Sequence, residues 1–473
     1  MSTPGALEIV VLAAGQGRRM ASRRPKVLHE LAGRPMLGHV LETVAALGPR
    51  AVHVVIGHQA DTVRSAMEDQ IPALTGTPVH WVLQPEQRGT GHAVGQALPG
   101  VGADSVVLVV YGDVPLVSAD TLAACAAAAG RGALGLVTAE LEDPAELGRI
   151  LRAPDGAVLG IVEFRDANAA QRDIREINSG IMALRADAMR AYLEQVRPQN
   201  AQGEYYLTDL VALAVADGRP VEALRAVCPE EVLGVNDREQ LALLERVYQR
   251  RVVRALLAGG ASVADPDRVD IRGRVTTGQD CFIDVNVVFE GRVELGLDVH
   301  IGPGAVIRDS VIGDGVRIEA HTLVEGAEVA EACVLGPFAR IRPGTRLESG
   351  VRIGNFVETK KAVIGRGSKA NHLAYLGDAT IGADCNIGAG SVTCNYDGVD
   401  KHPTTIGDRV FVGTNSTLVA PLDIGSDAFV AAGSTVTTTV DPGELAVGRG
   451  RQRNIRGWVR PDRRAAKKSR DRD

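Results

Sequence analysis

Between about Val263 and Val436 an aliphatic residue, usually followed by a small one, returns every six positions. Leu295-Gly296, Ile301-Gly302 and Ile307 open the series, and Ile312-Gly313, Ile318 and Val324 follow in register. It runs on through Leu335-Gly336, Ile341, Leu347 and Ile353-Gly354, then Ile364-Gly365, Ala370, Leu376-Gly377, Ile381-Gly382 and Ile387-Gly388. Ile406-Gly407, Val412-Gly413, Leu418, Ile424-Gly425, Val430 and Val436 close it. A period of six fits neither an amphipathic helix nor a simple alternating strand. It is the period of a parallel β-helix, in which each hexad gives one short strand and one turn and the aliphatic side chains stack as an internal ladder. The 54 glycines and the 3% aromatic content suit such a turn-rich coil better than a broad aromatic core. Two stretches break the hexads, Asn355 to Lys361 and Cys394 to His402, and both are expected to be loops on a binding face.

A chain of 473 residues holds two or three domains. Its net charge of −6 argues against a nucleic-acid binder. No apolar run approaches the ~20 residues of a membrane span, so no membrane insertion is expected. Ile9 to Ala14 is too short for the core of a signal peptide and has no basic segment before it. The six cysteines form no Cys-x-x-Cys pair and no zinc spacing, which suits inert thiols in a reducing cytoplasm.

Residues 1–236 read as an α/β domain, with strands at Leu7 to Leu12, Val52 to Ile56, Val79 to Leu83, Ser105 to Val110 and Ala133 to Ala139. Helices at Pro35 to Leu47 and Ala119 to Ala129 lie between them, which implies a mainly parallel sheet covered on both faces. Ligands of such sheets bind beyond the carboxyl ends of the strands. Residues 237–260 read as a linker helix (Leu241, Leu244, Val247, Tyr248, Val252, Leu256), 261–448 as the coil and 449–473 as a basic tail. Disorder is expected past about Pro461.

Three loops that follow strands carry candidate chemistry. Leu12 to Met20, leading to Pro25-Lys26, lacks the third glycine of a dinucleotide fingerprint, and Met20 stands there instead. Its Gly-rich turn with Arg19 and Lys26 suits a triphosphate, because backbone N–H groups and two cations can offset the phosphate charge. In Gln84 to His92, glutamine offers the donor and acceptor needed to read a pyrimidine edge, and Thr90 equally suits a cap on the next helix. Asp113, after the apolar Val106 to Val110, reads as a turn former or as an Mg²⁺ ligand against phosphate oxygens, and the neighbouring phosphate loop favours the metal.

Within the coil His372 stands two residues past the Ala370 ladder position, where a core stack would not place imidazole. Arg342, Lys360 and Lys401 together suit an anion such as a sugar phosphate. Histidine near its reference pKa of about 6.5 suits proton transfer at neutral pH.

The LAAGQGRRM…PK, QPEQRGTGHA, YGDVP, GIVEF, EINSG, GEYYLTD and GVNDR segments, in that order, resemble the sugar-nucleotide pyrophosphorylases. With the hexad coil, nearly the whole chain resembles the bifunctional N-acetylglucosamine-1-phosphate uridylyltransferase/glucosamine-1-phosphate N-acetyltransferase family, which makes UDP-N-acetylglucosamine for bacterial cell-wall precursors. The resemblance implies a Rossmann-like nucleotidyltransferase domain followed by a left-handed parallel β-helix, and a trimer formed through the coil with acetyltransferase sites shared between subunits. It implies that Leu12, Ala13, Ala14, Gly15, Gln84, Gly89 and Thr90 hold the uridine nucleotide, with Arg19 and Lys26 on its phosphates. It further implies that Asp113 and Asn236 ligate Mg²⁺, and that Tyr111, Gly148, Glu163 and Asn178 surround the N-acetylglucosamine moiety. In the coil it implies His372 as catalytic base, with Arg342, Lys360, Tyr375, Asn386 and Lys401 on glucosamine-1-phosphate and Glu358 as a supporting acid. Asn395, Tyr396, Thr414, Ala432 and Arg449 match acetyl-CoA contacts. The chain departs from the family pattern at Arg18 (often Thr), at Leu147 (commonly Tyr), at Thr414 (frequently Ser) and at Asn371 (also Gly). Two other readings are a single-activity nucleotidyltransferase with a scaffolding coil and a non-catalytic sugar-nucleotide sensor. His372 with Lys360 and the Asn395-Tyr396 loop speaks against the first, and Asp113 with Asn236 against the second.

Overall fold

A computed structural model describes residues 6–68, 70–71 and 76–458. Arg460, Arg463, Arg464, Lys467 and Lys468 of the basic tail, and the disorder expected past Pro461, lie outside the described residues. The chain divides into two compact units, Met1–Ala258 with Asp265–Arg274 and Gly259–Ala264 with Val275–Asp473.

The first unit is built on one nine-stranded sheet. Its strands are β1 (Leu7–Leu12), β2 (Ala51–Ile56), β3 (Val79–Leu83), β4 (Val106–Tyr111), β5 (Leu134–Glu140), β6 (Arg149–Arg152), β7 (Val158–Val162), β8 (Glu176–Arg185) and β9 (Val221–Arg225). The order is β9-β5-β8-β4-β1-β2-β3, with β6 pairing β8 and β7. The expected strands fall within a residue or so of those seen, because runs such as Glu-Ile-Val-Val-Leu and Val-Val-Leu-Val-Val have room only inside a sheet covered on both faces. Alternation decides the packing. Ile9 and Val11 join one core cluster while Val10 and Leu12 join the other. Two strands break the parallel pattern: β8 runs antiparallel to β4, β5 and β6, and β6 in turn pairs antiparallel with β7. The register of β8 with β5 shifts between Asn178 and Met182, around Gly180 at φ 81°. Such a bulge re-aims the side chains beside it, here Asn178.

The helix expected at 237–260 runs Arg238–Ala258 and packs within the first unit. Leu244 lies in a buried cluster with Met20, Leu31, Met36, Leu116 and Val235. Gln249, 1% exposed, accepts from the Ile271 N–H at 2.7 Å and donates to its carbonyl at 3.0 Å.

The second unit is the expected left-handed parallel β-helix. Strand partners lie 17 or 18 residues apart, as in Phe282 with His300, His300 with Arg317 and Arg317 with Val334, so one turn of the coil takes three hexads. Ile283, Ile301, Ile318, Leu335, Ile353, Ala370, Ile387, Val412 and Val430 stack in one internal column, none more than 4% exposed. The first expected loop is not one. Glu358–Lys360 is a strand, and Thr359 fills the ladder site between Ile341 and Leu376 with no exposure. Threonine has the shape of valine, and its hydroxyl meets that of Thr345 at 3.2 Å, so polarity at this site does not interrupt the coil. Thr393 holds the next site of the same column, and the true insertion begins only after Cys394. There the step lengthens to 25 residues, Asn386 pairing with Phe411.

At one corner of successive turns His321, Phe338, Phe356 and Leu373 all sit at positive φ, between 44° and 58°. Ring centroids stack at 5.1 Å (His321–Phe338) and 5.6 Å (Phe338–Phe356), and Phe338, Phe356 and Leu373 are 49%, 56% and 61% exposed. Bulky side chains rarely take this backbone conformation, and here they form an exposed apolar ridge.

Candidate functional site

In the first unit the loops after β1 and β4 lie side by side, because Leu12 pairs with Tyr111 and the Gly112 N–H donates to the Leu12 carbonyl at 2.9 Å. Leu12, Ala13 and Ala14 are buried, and Gly15 is exposed with open space around it. Gly17 has φ 58°, and a Cβ there would lie 2.7 Å from the Lys26 Cβ, so the loop closes on Lys26 only through glycine. Buried Met20 anchors the turn Arg18–Met20, which presents Arg19 to solvent.

Lys26, Asp113 and Asn236 converge. The Lys26 ammonium forms an ion pair with the Asp113 carboxylate and donates to the Asn236 Oδ1 at 3.2 Å. The Val235 N–H donates to the Asp113 carbonyl at 2.9 Å and ties the two segments together. Asp113 and Asn236 supply one anionic and one neutral oxygen. Magnesium takes such a partial set and completes its octahedron with phosphate oxygens and water. Among the described residues no group of three or more His, Cys, Asp or Glu could hold a metal, so the donor set fits an ion shared with a substrate better than a caged one.

Gln84 is 3% exposed at the end of β3. Its amide nitrogen donates to the Gly89 carbonyl at 3.2 Å and lies 3.0 Å from the His92 Nδ1. The donor is thus committed within its own loop, and its carbonyl oxygen is what remains for a base edge. Gly89 meets the Glu204–Tyr205 segment closely, since a Cβ there would fall 2.6 Å from the Tyr205 carbonyl oxygen. Thr90 does not cap the following helix. Its hydroxyl accepts from the Leu207 N–H at 3.0 Å, because the 204–207 segment lies against the helix start.

The four residues expected around a sugar gather beside this loop. The Asn178 N–H donates to the Gly148 carbonyl at 2.9 Å, and the Asn178 Oδ1 accepts from the Gly180 N–H at 2.9 Å. A Cβ on Gly148 would approach the Glu163 carboxylate to 3.2 Å, and one on Gly180 would strike the Tyr111 ring at 2.5 Å. Burial pushes the Tyr111 phenol far up, with Glu163 and Asp113 adding to it, so it remains a neutral hydroxyl. Burial also raises the Glu163 carboxyl; a 3.1 Å hydrogen bond from Thr208 opposes this, while Asp166 and Asp209 reinforce it.

Sequence reasoning missed Thr208, the Glu204–Tyr205 brace and Arg149. Arg149 is 2% exposed, and its guanidinium donates to the carbonyls of Ala145 (2.9 Å), Leu147, Pro144 (3.4 Å) and Arg172 (3.3 Å). It shapes the loop that presents Gly148. The GEYYLTD segment was visible as a motif, but a backbone brace leaves no side-chain signal of its own.

In the second unit, neighbouring turns bring Arg342, Glu358, Lys360, Tyr375 and Lys401 to one face. Glu358 pairs in register with Tyr375 and Lys360 with Gly377. Arg342 donates to Glu358 at 2.7 Å. The Lys401 ammonium is held below its ordinary value by Lys360 beside it, while Asp378 and Tyr375 pull it back up. Two crowded ammoniums are an arrangement that a bound anion stabilises. A Cβ on Gly377 would lie 2.4 Å from the Tyr375 hydroxyl, so that glycine gives the tyrosine its place.

The inserted loop ends on the same cluster. Asn395 donates to Asp378, and Tyr396 pairs with Lys401 across an antiparallel bridge. The loop holds its own shape, for Asp397 accepts from His402 and from the Val399 and Asp400 N–H groups, each at 2.8 Å. Those bonds hold the Asp397 carboxyl well below the usual range.

His372 ends the strand Lys369–His372, exposed, with its Nδ1 2.9 Å from the Asn355 Oδ1. Asn386 pairs with Lys369 and Phe411 on that face of the coil. Thr414, Ala432 and Arg449 form a separate column. The Gly433 N–H donates to the Thr414 carbonyl at 2.8 Å, and Arg449 donates to the Ala432 carbonyl. Among the described residues no hydrogen bond or ion pair joins this column to the Lys360–Lys401 cluster.

Residues 9–153 match the MobA-like NTP transferase domain family. Residues 379–400 and 403–438 match the hexapeptide repeat of succinyl-transferase. The whole chain is similar to curated proteins called bifunctional protein GlmU. That of Marinobacter nauticus is 53% identical over 455 residues, covering 96% of this chain and 99% of the relative. That of Alkalilimnicola ehrlichii is 54% identical over 459 residues, 97% of each. That of Pseudomonas entomophila is 52% identical over 457 residues, 97% of this chain and 99% of the relative.

Proposed function

The chain belongs to the family of bifunctional GlmU proteins, and from that membership we propose a two-step enzyme of UDP-N-acetylglucosamine formation. The second unit transfers acetyl from acetyl-CoA to glucosamine-1-phosphate. The first unit then transfers uridylyl from UTP to N-acetylglucosamine-1-phosphate and releases pyrophosphate. What carries the reading is that the similarity spans 96–97% of the chain, and so includes both units and both sets of residues.

For acetyl transfer, Arg342, Lys360 and Lys401 hold the sugar phosphate, with Tyr375 and Asn386 completing its contacts and Glu358 keeping Arg342 in place. His372 takes a proton from the substrate ammonium. The freed amine bonds to the thioester carbonyl carbon, the carbon–sulfur bond breaks with the proton on His372 passing to the departing thiolate, and the second proton that the nitrogen sheds on becoming an amide goes to solvent. Asn395, Tyr396, Thr414, Ala432 and Arg449 hold acetyl-CoA. Because no hydrogen bond or ion pair among the described residues joins the Thr414–Arg449 column to the Lys360–Lys401 cluster, we place the complete site between copies of a homotrimer. The exposed ridge of Phe338, Phe356 and Leu373 supports such packing.

For uridylyl transfer no strong base is required, since a sugar phosphate is already anionic near neutral pH. Gln84 offers its carbonyl oxygen to the uracil edge, while Leu12 to Gly15, Gly89 and Thr90 line the nucleotide. Arg19 and Lys26 offset the phosphate charge. Tyr111, Gly148, Glu163 and Asn178 bind the sugar and align its phosphate oxygen for attack on the α-phosphorus, with pyrophosphate leaving opposite. Asp113 and Asn236 would hold Mg²⁺, which when bound neutralises charge on the phosphates.

No helix among the described residues is long and apolar enough to cross a membrane. A cytoplasmic location suits a user of UTP and acetyl-CoA. The test is product formation from acetyl-CoA, glucosamine-1-phosphate, UTP and Mg²⁺, read by chromatography. UDP-N-acetylglucosamine is expected. Pyrophosphate released only when pre-acetylated sugar phosphate is supplied would establish the single-activity reading instead.

A further inference from the structure

We infer that Asn355 is the positioning residue of the acetyl-transfer base, fixing His372 as the Nδ1–H tautomer and leaving Nε2 as the proton acceptor. The inference rests on the reading of His372 as that base. Two residues on successive turns of the coil are brought face to face by the fold itself. The strands Arg352–Asn355 and Lys369–His372 pair in parallel, with Ile353 opposite Ala370 and Asn355 opposite His372. Phe356 and Leu373 follow at φ 58° and 44°, so Asn355 and His372 are each the last extended residue before the same corner. The Leu373 N–H donates to the Asn355 carbonyl at 3.0 Å and fixes the two backbones at that point.

Gly354 tightens the approach, for a Cβ there would lie 2.0 Å from the Asn371 carbonyl oxygen. No side chain fits between the turns just before the pair. The Asn355 side chain is half-buried, and its Oδ1 meets the His372 Nδ1 at 2.9 Å.

A carbonyl oxygen can only accept. The bond therefore puts the proton of a neutral imidazole on Nδ1 and the lone pair on Nε2. It also holds the ring at the angle set by the coil, since His372 is otherwise exposed and free to turn. In the acetyl-transfer step Nε2 receives the amine proton as the nitrogen–carbon bond forms. It returns that proton to the thiolate as the carbon–sulfur bond breaks. The net change is one ammonium and one thioester to one amide, one thiol and one proton released to solvent. Nδ1 keeps its proton throughout, and Asn355 Oδ1 keeps the bond, which strengthens while the ring is cationic.

The test compares full-length wild type with Asn355→Ala, Asn355→Asp and His372→Ala. Each is assayed for thiol release over a range of both substrates and for pyrophosphate release as a control of folding. A carboxylate also only accepts, so Asn355→Asp preserves the tautomer while Asn355→Ala loses it. For Asn355→Ala the expected result is a fall in kcat of about 10- to 100-fold with both KM values within about threefold. Asn355→Asp should keep at least about a third of wild-type kcat, and pyrophosphate release should be unchanged in all variants. The inference is overturned if His372→Ala is inactive while Asn355→Ala keeps wild-type kcat, if the loss lies in KM alone, or if Asn355→Asp fails as badly as Asn355→Ala. An active His372→Ala would instead remove the base assignment beneath it, and the two failures are thereby told apart.

Discussion

Replacing Thr393 with valine changes one buried group inside the coil and almost nothing of its shape. Thr393 is 1% exposed in the same buried column as Thr359, above Leu376 and below Leu418. Its hydroxyl accepts from the Gly377 N–H at 2.8 Å and donates to the Gly377 carbonyl at 3.0 Å. In-register pairing between these turns is recorded at Tyr375 with Val392, just before the inserted loop departs, so the hydroxyl takes over where a strand partner is missing. Thr393→Val leaves the Gly377 N–H buried and unpaired, which costs about 1–3 kcal/mol. The extra methyl returns about 0.8 kcal/mol. The net loss is then roughly 0.2–2.2 kcal/mol, or about 0.4–9 °C in the melting of a unit of this size. Thr359→Val is the comparison, since its hydroxyl meets only that of Thr345, at 3.2 Å, and no backbone group. Scanning calorimetry on the full chain should show the coil transition lowered more by Thr393→Val than by Thr359→Val. A Thr393→Val protein as stable as wild type, or more so, refutes the claim that this hydroxyl stands in for a strand partner.

Two further outcomes follow from charge. Burial pushes the Glu8 carboxyl up, but bonds from His53, the Gly102 N–H and Ser105 outweigh it and hold Glu8 below its ordinary 4.5. The stability it contributes is therefore complete above about pH 4.5 and is lost as pH falls through the lower folded value. Glu8→Gln should cost about 1–3 kcal/mol at neutral pH and flatten the melting temperature on the acid side. An unchanged acid slope would show that Glu8 titrates normally. Glu163 is displaced the other way, so KM for N-acetylglucosamine-1-phosphate should rise as pH drops through a value above 4.5, and Glu163→Gln should abolish that dependence. A KM profile in the variant parallel to wild type would remove Glu163 from the sugar site.

The coil was legible because its core is a column repeated in the sequence. Ile301, Ile318 and Leu335 announce their stacking by spacing alone. Thr359 and Thr393 were not legible, since a polar residue looks like a break until the hydroxyl's partner is known. The parallel strands of the first unit were visible as apolar runs, whereas nothing in Glu176 to Arg185 marks a strand that enters the sheet in reverse. Lys26, Asp113 and Asn236 were each named from separate motifs, but Lys26 and Asn236 stand 210 residues apart, and only the fold shows that they meet. Asn355 went unnoticed as a partner of His372 for a related reason. Pairing them requires knowing that a turn takes 17 residues there and that its strands run to the corner.

The most direct test of two separate active sites uses crossed variants from parallel preparations. His372→Ala and Asp113→Asn are each assayed for thiol release from acetyl-CoA with glucosamine-1-phosphate, and for pyrophosphate release from UTP with N-acetylglucosamine-1-phosphate and Mg²⁺. Two separate sites predict that His372→Ala loses only thiol release and Asp113→Asn loses only pyrophosphate release. A wild type that releases pyrophosphate but never thiol would contradict the account and leave the coil a scaffold.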